Sequence, residues 1–488
     1  MRRTKIVCTI GPATNSEERL EQLMRAGMNV ARLNFSHGVQ SEHAIVIERV
    51  RRVAERLGCC VAILQDLQGP KIRVGQLQGG QPVTLVDGSI VTITIDPIVG
   101  DASRISTTYQ ELPQDVKEGD RILLDDGLLE LRVRDHNETD VKCEVVHGGL
   151  LKEHKGINLP GVAVSAPALT EKDRDDLRFG IAHDVDYVAL SFVRRPQDVL
   201  EAKELIREWQ NERDDRAGHG GKRIQGSIPL IAKLEKPEAI ARLDEILEVV
   251  DGIMVARGDL GVEMAPEKVP LIQKRIIGKC NDLGLPVITA TQMLESMVSN
   301  PRPTRAEASD VANAILDGTD AIMLSAETAT GNYPVEAVQM MVRIALETET
   351  GDRTARQPHC KHLTQSHAVS HAARALSEEA SVQAIVVFTR SGASAHLISK
   401  DRPRPPILAY TPSERVYRQL ALWWGVWPHR LKMQGTTEDL ICAVDQRLLD
   451  EQLIQRGEHV VIMGGMPVAS QARTNFVKLH RVGVISEK

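Results

Sequence analysis

Val61-Ala62-Ile63-Leu64-Gln65-Asp66-Leu67-Gln68-Gly69-Pro70-Lys71-Ile72-Arg73 is the stretch on which the fold turns. The apolar start, Val61 to Leu64, reads as a buried strand and Gly69-Pro70 as a turn, so one strand end delivers an acid, Asp66, and two bases, Lys71 and Arg73. Taken alone, the segment is also an ordinary solvated turn with surface charges. The flanking sequence decides between the two.

On either side, strand-like runs alternate with amphipathic helical runs, the pattern of parallel βα units. Candidate strands are Lys5 to Ile10, Asn29 to Asn34, Val61 to Asp66, Tyr187 to Phe192, Leu230 to Glu235, Gly252 to Arg257, Pro286 to Ala290 and Ala321 to Ser325. Helical patterns follow at Ser16 to Ala26, Thr170 to Ala182 and Pro237 to Val249. Eight such units imply a closed (β/α)8 barrel spanning residues 1–69 and 167–345. Between them, residues 70–166 look all-β: "QPVTLVDGSIVTITID", "DRILLDDGLLELRV" and "DVKCEVVHGGLL" are short β-branched runs punctuated by Asp-Gly and Gly-Gly. An insert after the third strand sits at the barrel mouth, where it can act as a lid that excludes water. Residues 346–488 change again, through "ETETGDRTARQPHCKHLTQSH", into strands at Ala384 to Thr389, Ile407 to Tyr410 and His459 to Met463, a third, α/β domain. "NERDDRAGHGGKRIQG", before strand five, reads as an exposed loop.

The composition narrows the function. Sixty Lys and Arg against 66 Asp and Glu give a formal charge of -6, which offers no general attraction for nucleic acid or an acidic membrane. Seven scattered cysteines without a CxxC pair favour a reducing cytoplasm over a zinc site or a disulfide framework. No run approaches the roughly 20 apolar residues of a membrane span, and the N-terminus has no signal-peptide pattern.

In a barrel of this kind the chemistry gathers at the C-terminal ends of the strands. Strand two ends in "ARLNFSHG", where Arg32, Asn34 and Ser36 share a face if the chain stays extended. Strand three ends in Asp66. Strand five ends with Lys233 and Glu235, strand six with Arg257 and Asp259, strand seven with Thr291, strand eight with Ser325 and Glu327. Glu235 and Asp259 on neighbouring strands suit Mg²⁺ or Mn²⁺, hard cations that take oxygen ligands and leave positions for substrate. A buried ion pair is the competing reading of Lys233 with Glu235. The convergence of Arg32, Lys71 and Arg73 on the same mouth favours a site for an anionic substrate, and metal plus cations behind a lid suits phosphoryl transfer.

"KIVCTIGPAT", "MNVARLNFSHG", "DLQGPKIR", "KGINLPG", "VALSFVR", "VARGDLGVE", "ITATQMLESM" and "PTRAEASDVANAILDGTDAIMLSAET" together resemble the pyruvate kinase family, from the first strand to the C-terminal domain. The resemblance implies a (β/α)8 barrel with an inserted β-barrel lid and a C-terminal α/β regulatory domain. It implies transfer of the phosphoryl group of phosphoenolpyruvate to ADP, giving pyruvate and ATP, in a cytoplasmic homotetramer. It makes Glu235 and Asp259 the divalent-metal ligands, Lys233 the cation on the transferring phosphoryl group and Arg32 a phosphate contact. Arg73, His37 and Lys155 fall to the nucleotide. Gly258, Asp259 and Thr291 hold the substrate carboxylate, and Thr291 and Ser325 lie on a water-mediated proton path to the enolate. A metal-dependent pyruvate-enolate lyase or aldolase and a catalytically silent regulatory homologue are the alternatives; intact Lys233, Glu235, Asp259 and Thr291 weigh against the second.

Two departures particularise the resemblance. Relatives often carry a glutamate where Lys71 stands, beside a K⁺ held by residues matching Asn34, Ser36 and Asp66. Two like charges about 4 Å apart repel by about 4 kcal/mol at an effective dielectric of about 20, so Lys71 and K⁺ compete, and Lys71 is expected to replace K⁺, as in the family's K⁺-independent branch. "KLEK" replaces the more usual Lys-Ile-Glu-Asn. In the third domain, Thr389, Arg390, Ser391, Gly392, Ala393 and Ser394 lie between a strand and a helix, where amides and hydroxyls can meet phosphate or merely cap the helix. The matching loop of the family binds sugar-phosphate effectors, which makes it the expected allosteric site. Trp423, Trp424 and Trp427 are assigned to packing.

Overall fold

The structure, a computed structural model, describes residues 1–216, 227–351, 364–467 and 472–483. Eight parallel strands close on themselves: Lys5–Thr9, Val30–Asn34, Ala62–Asp66, Tyr187–Leu190, Leu230–Leu234, Gly252–Ala256, Val287–Ala290 and Ala321–Leu324, with the eighth paired to the first. They lie where the sequence places them, within two residues at each end. Both faces are buried, which is why the strands read as near-continuous apolar runs. Alternation along each strand separates two layers. Val7, Val30, Ala62, Leu64, Tyr187, Ala189, Ile231, Met254, Ile288 and Met323 fill the interior, while Ile6, Ala31, Ile63, Val188, Ala232 and Ile253 pack against the helices.

The same period of two sets the mouth. Continuing the inward rows Val30, Ala62-Leu64 and Ile231 brings Arg32, Asp66 and Lys233 to the inner face. The polar ends of the rows are thus placed by the apolar residues beneath them.

Helix ends follow local chemistry. Ser16 caps Glu17–Ala26 by accepting from the Arg19 amide, and Gly27, at φ 124°, closes it in a conformation glycine favours. Thr170 with Asp173 and Thr304 with Glu307 form capping boxes on Glu171–Ala182 and Arg305–Asp317.

Three expectations are corrected. Pro237 to Val249 is two short helices, Pro237–Ala241 and Leu243–Leu247, separated at Arg242, whose φ/ψ of -105°/24° is not helical. The stretch from Asn211, expected as a loop, is helical as far as Arg216, because the helix Pro196–Arg216 is anchored where Arg213 donates to the Ile181 carbonyl at 2.9 Å, which outweighs the low helix propensity of Asn211, Asp214 and Asp215; residues 217–226 lie outside the described residues. Arg257 and Asp259 do not extend strand six, since a helix, Arg257–Glu263, begins at once and turns them to different faces. Of the polar stretch 347–367, residues 352–363 lie outside the described residues.

The chain leaves the barrel after Asp66 and returns before Glu171. Its insert is a six-stranded sheet and a two-stranded sheet around a separate core that includes Val91, Ile93, Leu131, Val133, Val141 and Cys143. The hairpin of Arg121–Leu124 with Leu129–His136 turns on Asp125, Asp126 and Gly127, with φ of 51°, 55° and 86°. The Asp-Gly signal thus marks a real turn.

The C-terminal sheet has the order Val426–Arg430, Ile407–Thr411, Ala384–Phe388, His459–Gly464 and Phe476–Arg481, with only the last strand antiparallel. It meets the barrel at the face opposite the mouth. Asp320, just before strand eight, takes Lys400 at 2.6 Å and Arg402 at 2.9 Å; Asp186, just before strand four, takes Arg418 at 2.7 Å. Trp423 stacks on His396 with centroids 3.7 Å apart, and Trp424 and Trp427 lie against Arg402 and Lys5, so the tryptophans pack.

Candidate active site

A small cavity of about 80 Å³ at the mouth is lined by Arg32, Asn34, Ser36, Lys71, Phe192, Lys233, Glu235, Asp259 and Thr291, among others. Residues from strands two, five, six and seven and from the start of the lid therefore meet, as the strand-end reading expects. Ser36 belongs to the turn beyond strand two rather than to an extended face, and its amide donates to Asn34 Oδ1 at 3.2 Å.

Lys233 is the hub. Its ammonium lies 2.8 Å from Glu235 Oε1 and 3.3 Å from Asp66 Oδ1, and it donates to Ser191 Oγ at 2.8 Å. Burial alone would push the ammonium towards neutrality, but Asp66 and Glu235 outweigh it and hold the pKa well above the ordinary lysine value. Asp66 also accepts from Arg32 Nε at 2.6 Å, and Arg32 reaches Thr9 Oγ1 at 2.9 Å. Burial works against the Asp66 carboxylate, yet Lys233 and Arg32 draw its pKa below the usual range. The buried ion pair and the site are thus the same object: the carboxylates hold a charged lysine in place.

Glu235 behaves differently. Its Oε2 accepts from the Phe192 amide at 2.7 Å, with Phe192 at φ 55°, but burial, reinforced by the Asp259 charge, raises its pKa against the pull of Lys233. Lys233 is shared between two carboxylates, so Glu235 has only part of a counter-charge while facing a second anion. That is the electrostatic situation a divalent cation relieves. Among the described residues no group of three or more His, Cys, Asp or Glu is arranged to hold a metal; Glu235 and Asp259 would offer a divalent cation two oxygen-bearing side chains, and Mg²⁺ is commonly bound by only one or two carboxylates.

The Gly258 amide donates to Thr291 Oγ1 at 2.7 Å, at the start of the Arg257–Glu263 helix. Thr291 has φ 68° and Gln292 φ 54°, a left-handed pair that turns the Thr291 hydroxyl towards the helix. Arg257 points away from the cavity: it donates to the Thr291 carbonyl at 2.8 Å and pairs with Asp310 at 2.7 Å. Thr291 also borders a larger cavity of about 1020 Å³, which Ser325 lines and which extends to Asp310. Ser325 therefore neighbours the small cavity rather than lining it.

A third cavity, of about 290 Å³, lies between barrel and lid and is lined by His37, Lys71, Arg73, Asp125, Lys155, Arg194, Lys236 and Asp259, among others. Arg73 is fixed by donation to the His154 carbonyl at 2.8 Å, and Lys155 pairs with Asp125 at 2.8 Å. Burial, with Lys71, Arg73 and Arg32 nearby, lowers the His37 pKa. Lys71 borders both cavities, and burial with the Lys233 charge lowers its pKa against the pull of Asp259.

Both parts of the chain match known families: a model described as the pyruvate kinase barrel domain covers residues 1–338, and one described as the pyruvate kinase alpha/beta domain covers residues 367–480. The chain belongs to the pyruvate kinase family. Pyruvate kinases of Staphylococcus haemolyticus and Staphylococcus saprophyticus are each 49% identical to it, over 99% of this chain and 81% of theirs. The crystal structure of a pyruvate kinase from Cryptosporidium parvum aligns at a TM-score of 0.90 and 38% identity, covering 99% of this chain and 96% of that one.

Several residues that shape the mouth lie beyond the strand-end candidates. Thr9 ends strand one and Ser191 directly follows strand four, each two residues beyond inward-facing Val7 and Ala189. Arg194 fixes the returning lid strap by donating to the Val164 and Ala166 carbonyls. "VALSFVR" contained this signal. The Glu263 partner of Lys236 could not be found from spacing.

In the C-terminal domain, Thr389 to Gly392 connect Ala384–Phe388 to the helix Ala393–Lys400, whose first turn already includes Ala393 and Ser394 rather than leaving them in the loop. Gly392, at φ 90°, donates to Thr389 Oγ1 at 2.9 Å, and Ser394 Oγ meets Thr474 Oγ1 at 2.7 Å. A cavity of about 520 Å³ opens there, lined by Thr389, Arg390, Ser391, Ser394 and Arg473, with Ser227 and Pro229 of the barrel on another side.

Proposed function

We propose that this chain transfers the phosphoryl group of phosphoenolpyruvate to ADP, forming pyruvate and ATP, with its chemistry in the cavity around Lys233. The observation that carries the reading is the charged Lys233 clamped by Asp66 and Glu235 beside Asp259 and Thr291. Glu235 and Asp259 hold Mg²⁺ or Mn²⁺. When bound, the ion supplies positive charge to the transferring phosphoryl oxygens.

Arg32 and Lys233 bind the phosphoryl group. The amides of Gly258 and Asp259 hold the substrate carboxylate with Thr291, whose hydroxyl is the present acceptor of the Gly258 amide. Phosphoryl departure leaves an enolate, and a proton delivered to carbon gives pyruvate. Thr291 borders both the small cavity and the larger one lined by Ser325, which supports a water-mediated proton path between these residues.

Arg73, His37 and Lys155 receive ADP in the cavity beneath the lid. That cationic lining disfavours the lyase alternative, which has no nucleotide phosphates to hold. Lys71 takes the place of K⁺: it lines the cavity with Asn34 and Ser36, while Asp66 is already engaged by Arg32 and Lys233.

The loop from Thr389 to Ser394, with Arg390, Ser391 and Gly392, binds a sugar-phosphate effector. Its cavity has Ser227 and Pro229 on one side, immediately before strand five, so a ligand there bears on the strand that carries Lys233. A homotetramer in the cytoplasm completes the reading; exposed Leu271 and Leu316 on outer barrel helices offer apolar surface for assembly, and among the described residues no helix is long and apolar enough to cross a membrane. The family's substrates and the acidic net charge give no role to nucleic acid.

A coupled assay of pyruvate formation from phosphoenolpyruvate and ADP with Mg²⁺, with and without K⁺ and across a panel of sugar phosphates, tests this. Absence of ADP-dependent pyruvate under every condition rejects it.

A further inference from the structure

Lys236 follows Glu235 directly but lines the cavity beneath the lid rather than the small one. Its ammonium pairs with Glu263 Oε1 at 2.5 Å, and the same oxygen accepts from Asn158 Nδ2 at 2.9 Å. Three elements are joined at this point. Lys236 stands two residues beyond strand five, at the N-cap of the helix Pro237–Ala241, Glu263 ends the helix that carries Asp259, and Asn158 closes the last strand of the lid, Ile157–Asn158.

The junction is largely buried: the side chains of Lys236 and Glu263 are 12% and 1% exposed. Glu263 Oε2 is buried without a hydrogen-bond partner among the described residues, so both contacts fall on one oxygen. A carboxylate so buried is costly without a paired cation, and an ionised acceptor holds an amide donor about twice as strongly as a neutral one. Lys236 therefore sustains the charge that grips Asn158. Asn158 stands three residues after Lys155, and both line the cavity with Arg73. The Lys236 ammonium also lies 5.7 Å from the centroid of Phe192, whose amide holds Glu235.

We propose that Lys236 is a positioning residue for the nucleotide: through Glu263 it fixes Asn158, and with it the lid wall that bears Lys155, over the place where ADP binds. This rests on the assignment of that cavity to ADP. Because phosphoenolpyruvate is held by the barrel and ADP by barrel and lid together, loosening the junction acts on one substrate.

The test is steady-state kinetics of Lys236→Met, Asn158→Ala, their double variant and Lys236→Arg. About a tenfold rise in the KM for ADP is expected in each single variant, the scale of one modest hydrogen-bonded contact. The KM for phosphoenolpyruvate should stay within about twofold. The double variant should match the singles, because they break one chain of contacts, and Lys236→Arg should restore ADP binding. Equal rises in both KM values, or single effects that multiply in the double variant, overturn the proposal. Should Lys236→Met fail to fold, Lys236→Met with Glu263→Gln removes both charges together and carries the same expectation. Lys155→Ala separates the two levels: an unchanged KM for ADP in that variant sinks the ADP assignment, whereas a raised one with normal ADP binding in Lys236→Met sinks only the junction.

Discussion

Asp66 and Lys233 meet at 3.3 Å inside the barrel mouth, and the carboxylate that receives this ammonium on Oδ1 receives the Arg32 guanidinium on Oδ2 at 2.6 Å. One buried acid thus both locates two cations and offsets their mutual repulsion. Asp66→Asn keeps the shape and removes the charge. Losing one partner of a buried charged group costs on the order of 3 kcal/mol, so the melting temperature should fall. Turnover should fall at least about a hundredfold, because Lys233 and Arg32 lose their anchor. A variant that melts earlier but turns over normally would show that Asp66 serves only the fold.

Lys71 makes no ion pair with any described residue, although it shares cavities with Asp259 and Glu235. In the proposed role its ammonium takes the place of a bound monovalent cation. Turnover should be the same in K⁺ and in a bulky organic cation, and Lys71→Glu should create a requirement for K⁺. Strong activation of the unaltered enzyme by K⁺ is incompatible with this role.

The barrel was legible because period-two apolar rows survive in every strand, and a row that places Val30, Leu64 or Ile231 inside also places Arg32, Asp66 and Lys233. What was not legible depends on where the backbone stops being extended. Arg257 and Asp259 look like a pair at strand spacing, yet the helix that begins at Arg257 sends one to Asp310 and leaves the other facing the cavity. Spacing also conceals partners from distant elements. Nothing near Lys236 in sequence announces Glu263, and nothing near Lys5 announces Val426, because such contacts follow from how units pack. The break at Arg242 had no turn residue to mark it.

Lys5 lies under the C-terminal domain, donating to the Val426 carbonyl at 2.5 Å and facing the Trp427 ring at 5.1 Å. Burial, assisted by the Arg2 charge, lowers its pKa from 10.5 to about 7. Between these values the unfolded chain binds a proton that the folded chain does not, so stability should rise with pH from about 7 to about 10.5 and be flat below. Lys5→Met should abolish that component of the pH dependence and raise the melting temperature most at neutral pH and below. Parallel melting curves for the two proteins across the alkaline range would refute this.

Ser391 and Ser394 lie on either side of Gly392-Ala393 at the start of the helix Ala393–Lys400, and both line a cavity shared with Arg473. A sugar phosphate bound there gains from the helix N-terminus and from charge-assisted hydrogen bonds, and each hydroxyl removed should cost about 1 kcal/mol. Ser394 has a second role, since its hydroxyl meets Thr474 and joins the loop to the far wall. Ser391→Ala should therefore weaken the effector alone, by about fivefold in half-activating concentration. Ser394→Ala should weaken it and also broaden the thermal transition of the C-terminal domain. Titration of phosphoenolpyruvate turnover with sugar phosphates measures both, and unchanged activation in the two variants would remove the site.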